Sequence, residues 1–173
     1  MTWFEVLPKD VLRSHPRLYS QYCSTLVFAG QLETVDEALA YREQKAGQDH
    51  ALQGELASLR AAMAGRRGDV PRLVEEAKKA LSLLPSDSYE ARGRASSELG
   101  MVRYYAGLLD EGADLLVQAY EAAKQSGNTW MAANALGWAG RAHWMKENLM
   151  RSAEMGRQAV ELAGDSPAAA SPL

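Results

Sequence analysis

The sequence has one cysteine, Cys23, so no intramolecular disulfide can form and packing alone has to hold the fold. A single thiol on an apolar face suits a core position and a reducing compartment. No apolar run approaches the ~18 residues a membrane span needs. The N-terminal stretch Met-Thr-Trp-Phe-Glu lacks the charged and hydrophobic regions of a secretory leader, and the expected location is cytoplasmic. Basic residues are not clustered: 19 Lys and Arg are spread among 22 Asp and Glu, for a net charge of -3. That balance offers no footprint for a phosphate backbone, so this segment is not expected to bind nucleic acid directly. The three histidines, His15, His50 and His143, fall in separate segments without the i, i+4 pairing of a helix-borne metal site. No nucleophile, carboxylate pair or metal-ligand set recurs at a spacing that would join it into a catalytic site. The chain is therefore expected to be neither an enzyme nor a holder of a cofactor or metal.

What the sequence does have is a period. Gly30, Gly68 and Gly107 each follow an apolar helical stretch and precede a short polar turn, at spacings of 68 - 30 = 38 and 107 - 68 = 39. Glycine tolerates the left-handed conformation that closes a helix, so each marks a place where the chain reverses into an antiparallel partner. Glu147 stands at the equivalent place 40 residues after Gly107, where the fourth turn lacks its glycine. A recurring interval of this length signals a helical repeat. The pairs read as 16–45, 50–83, 87–125 and 129–162 within one domain over 1–164, followed by a small, proline-broken tail over 165–173 expected to fray. Capping signals agree: Asp87 with Glu90 spells a capping box, while Asp69 and Asn128 stand where helices should begin.

In the third pair Ala91, Ala95, Leu99, Val102 and Ala106 recur at steps of three and four, forming one apolar stripe with Arg92, Arg94 and Arg103 off it. The fourth pair opens with Trp130, Met131, Ala135, Leu136, Trp138, Ala139 and Trp144, a helix apolar almost all round. Such a helix is expected to be covered on several sides, as an inner helix of a stack would be. The fold class is all-α, a right-handed superhelix of about four antiparallel helix pairs.

Leu99-Gly100 and Leu136-Gly137, with Ala80 and Pro85 closing the second pair, partly match the tetratricopeptide pattern, although the period exceeds the usual ~34 residues. A wider set of stretches runs in order along nearly the whole chain: Trp3-Phe4-Glu5, Pro16-Arg17-Leu18, Ala29-Gly30-Gln31-Leu32-Glu33, Arg66-Arg67-Gly68-Asp69, Ala135-Leu136-Gly137-Trp138 and Arg157-Gln158-Ala159-Val160-Glu161-Leu162. These resemble the helical-repeat domain of MalT-type regulators, ATP-dependent transcriptional activators of the LuxR class. The resemblance implies a sensor segment between a nucleotide-binding switch and a helix-turn-helix. Neither a Gly-x-x-x-x-Gly-Lys-[Ser/Thr] phosphate loop nor a basic recognition helix is present in this sequence.

In a stack of this kind the first helices line the concave surface. The third pair then offers Arg94, Ser97, Met101 and Tyr104 as contact residues, and the fourth offers Asn134, Trp138 and Arg141 on one face. Cations, an amide and aromatic surfaces together suit a small-molecule inducer or a regulatory protein. Packing of Tyr104 and Trp138 between repeats is the competing expectation. A peptide-binding adaptor and a self-associating scaffold are the other functional readings. The adaptor finds few lysines on the first helices to clamp a carboxylate.

Overall fold

A computed structural model describes residues 7–164, so the expected tail over 165–173 and the Trp3-Phe4-Glu5 stretch lie outside the described residues. Every regular element among the described residues is helical: α1 (Lys9–Ser14), α2 (Pro16–Phe28), α3 (Leu32–Ala46), α4 (His50–Arg67), α5 (Val70–Leu83), α6 (Tyr89–Tyr105), α7 (Leu109–Ser126), α8 (Thr129–Met145) and α9 (Leu149–Gly164). The short α1 is an addition that the period did not announce. From α2 onward the helices form four antiparallel hairpins, each helix packed on its neighbour in the chain. The first helices of successive hairpins also touch: α2 on α4, α4 on α6 and α6 on α8. The second helices do not meet one another to that degree, so the first helices crowd together along the inner face of a tetratricopeptide-like solenoid.

Local chemistry explains the boundaries. Side-chain oxygens of Asp49, Asp69 and Asn128 accept the backbone N–H three residues on, at 3.1, 3.1 and 3.0 Å, and so satisfy donors that a helix start leaves unpaired. Gly68 ends α4 at φ 74°, and the next N–H, on Asp69, reaches back to the carbonyl of Ala64 at 2.9 Å. Glu147 adopts the same conformation, at φ 60°, with the N–H of Asn148 on the carbonyl of His143 at 2.9 Å. A turn without glycine thus closes by the same hydrogen bond, at a cost of about 1–2 kcal/mol for the Cβ. The capping box expected from Asp87 and Glu90 does not form. α6 begins one residue later than that box would place it, with Ser88 as an N-cap making no side-chain bond, and the Glu90 carboxylate turns to Arg94 instead.

Close approach between helices depends on small residues. A Cβ at Gly112 would sit 2.9 Å from the backbone N of Tyr104 and 3.1 Å from the carbonyl of Gly100, so α6 and α7 touch backbone to backbone there. The same contact recurs 40 residues on, where a Cβ at Gly140 would lie 3.3 Å from the carbonyl of Ser152 (140 - 100 = 40; 152 - 112 = 40). Gly137, matched by sequence to Gly100, faces open space. The repeat equivalent of Gly100 is therefore Gly140. As expected, α8 is covered on several sides, packing on α6, α7 and α9. Met131, Ala135, Leu136 and Ala139 are buried, but Trp130 and Trp144 stand 52% and 60% exposed.

Candidate functional site

Arg94 sits in the middle of α6 and is buried, although the apolar stripe excluded it. Its guanidinium donates to Ser58 Oγ of α4 at 2.9 Å, to Ser24 Oγ of α2 at 2.7 Å and to Glu90 Oε1 at 3.3 Å. One side chain thereby ties three first helices together across the inner face. Burial pulls its pKa below the usual arginine range, and the Glu90 carboxylate opposes that shift. Planar fork geometry suits such a buried hub, because the donors are held ready for several acceptors at once.

Beside this hub lies a mainly apolar cavity of about 430 Å³, walled by α2, α4, α6 and α8 with the start of α5. Volume and lining are those of a small-molecule site. Phe28 of α2 and Trp130 of α8 meet across it edge to face, with ring centroids 4.9 Å apart. Tyr105 and Trp138, from α6 and α8, meet at 5.7 Å in the same way. The Arg66 guanidinium lies 5.5 Å from the centroid of the Phe28 ring. Glu98 also lines the cavity, and burial pushes its carboxyl from the ordinary 4.5 up to about 7, against the pull of Arg66 and Arg94. Glu90 and Arg94 also line a second, more polar cavity of about 400 Å³, with Glu55, Asp87 and Ser126.

Five of the seven residues expected on the concave face, Arg94, Ser97, Met101, Asn134 and Trp138, line the apolar cavity. Tyr104 and Arg141 do not. Tyr104 is buried between α6 and α8 against Ala113, Ala142 and Trp138, and its hydroxyl accepts from Arg141 Nε at 3.1 Å. Arg141 is spent on that bond and on the Trp138 ring, 5.5 Å from its centroid. Stepping back along α8, the face that reaches the cavity continues to Met131 and Trp130 rather than forward to Arg141. Helical side chains lean toward the N-terminus, which moves the patch they cover in that direction. On α6 the working series is Arg94, Glu98, Met101 and Tyr105, at steps of four, three and four, joined by Ser97. Those steps were available in the sequence. The contribution of Phe28, two hairpins away, was not.

His143 is part-buried in α8, and its Nδ1 has no hydrogen-bond partner among the described residues. No group of three or more His, Cys, Asp and Glu among the described residues could hold a metal ion. No described helix is long and apolar enough to cross a membrane.

No curated protein matches the chain significantly. A family model for the MalT-like TPR region does match, over residues 54–173, starting within α4 and taking in α5 to α9. The helical hairpins, the crowded first helices and that match agree, and the chain belongs to the MalT-like TPR family.

Proposed function

We propose that this helical-repeat module senses an effector for a MalT-type, LuxR-class transcriptional regulator, and that the effector binds in the apolar cavity of the concave face. The carrying observation is convergence: residues from four hairpins line one cavity of about 430 Å³, and the Arg94 hub beside it joins α2, α4 and α6. A ligand seated there touches the first helices of every hairpin at once. It would favour whichever relative arrangement of hairpins fits it, which is how binding can be passed to neighbouring domains. The test is a thermal-shift screen of small molecules against the chain and Trp130→Ala. Trp130 is half exposed, so its loss should leave the fold intact. A ligand at ~100 times its Kd should add about 2.7 kcal/mol. Stabilisation of the parent chain that disappears in Trp130→Ala is the expected outcome. Equal stabilisation of both proteins would move the site elsewhere.

A second reading, self-association or scaffolding, has its own observation. Trp144, Leu149, Met150 and Val160 expose 60%, 62%, 87% and 72% of their surface on the last hairpin. A repeat that ends on an apolar face can stack on another copy. Sedimentation should then show mass rising with concentration, and a constant monomer would count against it.

A further inference from the structure

The cavity wall carries a carboxylate, that of Glu98, whose charged neighbours are Arg66 and Arg94. Glu98 makes no hydrogen bond and no ion pair among the described residues. Its carboxylate lies against α4 where a glycine makes room: a Cβ at Gly65 would stand 3.0 Å from Glu98 Oε2. The guanidinium one turn earlier, Arg94, is already committed to Ser24, Ser58 and Glu90. That of Arg66 lies over Phe28. Around the same space stand the rings of Phe28, Tyr105, Trp130 and Trp138. Aromatic faces attract a cation through their quadrupoles, and the part-buried Glu98 carboxylate supplies the countercharge. An anion in the cavity would instead lie against Glu98, with the Arg94 donors engaged and the Arg66 guanidinium exposed over Phe28 at the rim.

We propose that the concave cavity selects a small organic cation, an amine with an aromatic or alkyl body, with its ammonium on Glu98 and its body among Trp130, Trp138 and Phe28. This rests on the effector-binding reading and specifies the ligand class. Arg66 from α4 and Arg94 from α6 face Glu98 and favour its ionised form, but burial outweighs them, so the carboxyl titrates near neutrality. A bound ammonium favours the carboxylate, and affinity therefore rises as pH increases through about 7.

Three probes with one indole body separate the possibilities: tryptamine, 3-propylindole and indole-3-propionate, titrated calorimetrically into the whole chain at alkaline and acidic pH. Tryptamine is expected to bind at least about tenfold more tightly than either analogue above pH 7, with the advantage shrinking below it. Glu98→Gln, which keeps the shape, should erase both the advantage and its pH dependence. That variant carries its own folding control. A carboxyl whose folded pKa lies above its unfolded value loses stability as pH rises from 4.5 through about 7. Glu98→Gln should therefore melt higher than the parent above pH 7, and the difference should vanish toward pH 4.5. Equal or tighter binding of the neutral or acidic probe would overturn the cation proposal and leave effector binding standing. So would tryptamine binding unchanged in Glu98→Gln. If none of the three binds, the cation proposal falls, and the broader screen decides the reading beneath it.

Discussion

The third and fourth hairpins carry the same plan 40 residues apart, yet equivalent side chains meet different fates. Tyr104 of α6 is 7% exposed, while Trp144, its equivalent in α8 (144 - 104 = 40), is 60% exposed. Ala113 of α7 is buried, and Ala153 of α9 is exposed. The difference lies in the neighbour. α8 covers Tyr104 with Trp138 and Ala142, and among the described residues nothing plays that part for Trp144. In a solenoid, burial belongs to the interface between repeats as much as to the repeat itself.

Truncating the two aromatics gives the largest expected contrast. Tyr104→Ala should destabilise by about 3–5 kcal/mol, as for a buried aromatic, and Trp144→Ala by less than about 0.5 kcal/mol. Denaturant unfolding measures both. Similar losses would mean that Trp144 is covered in solution, and would support the self-association reading. The glycines sharpen the comparison at smaller scale. Gly112→Ala drives a Cβ into the backbone of Tyr104 and should cost about 1–3 kcal/mol. Gly156 of α9 faces open space, so Gly156→Ala should instead stabilise, by up to about 1 kcal/mol. A neutral Gly112→Ala would show that α6 and α7 can separate freely, and that their backbone contact does not fix the register of the hairpin.

Most of the architecture was legible because it is written in local chemistry. Gly30, Gly68, Gly107 and Gly127 take positive φ where the turns require it, and Asp69 and Asn128 cap the helices they precede. Where local signals failed, another side chain had taken the residue, in the same helix or in another hairpin. Glu90 answers Arg94 rather than capping α6. Arg94, polar and apparently off the stripe, is buried because Ser24 and Ser58 from two other hairpins satisfy it. The site was legible in part for the same reason. Helical periodicity put Arg94, Ser97 and Met101 on one face, but it could not say that Tyr104 rotates into the α6–α8 contact while Tyr105 lines the cavity.

By itself, then, the sequence determined the helices, their ends, the hairpin period and the general face that looks inward, because capping, φ preference and amphipathic spacing act within a few residues of chain. The tertiary structure decided which inward residues share a cavity, which are consumed as packing, and that Phe28 meets Trp130 102 positions away (130 - 28 = 102). Those outcomes depend on the accumulated rotation from hairpin to hairpin. That rotation is set by side-chain contacts between hairpins, such as Arg94 on Ser24 and Ser58, which no local pattern encodes.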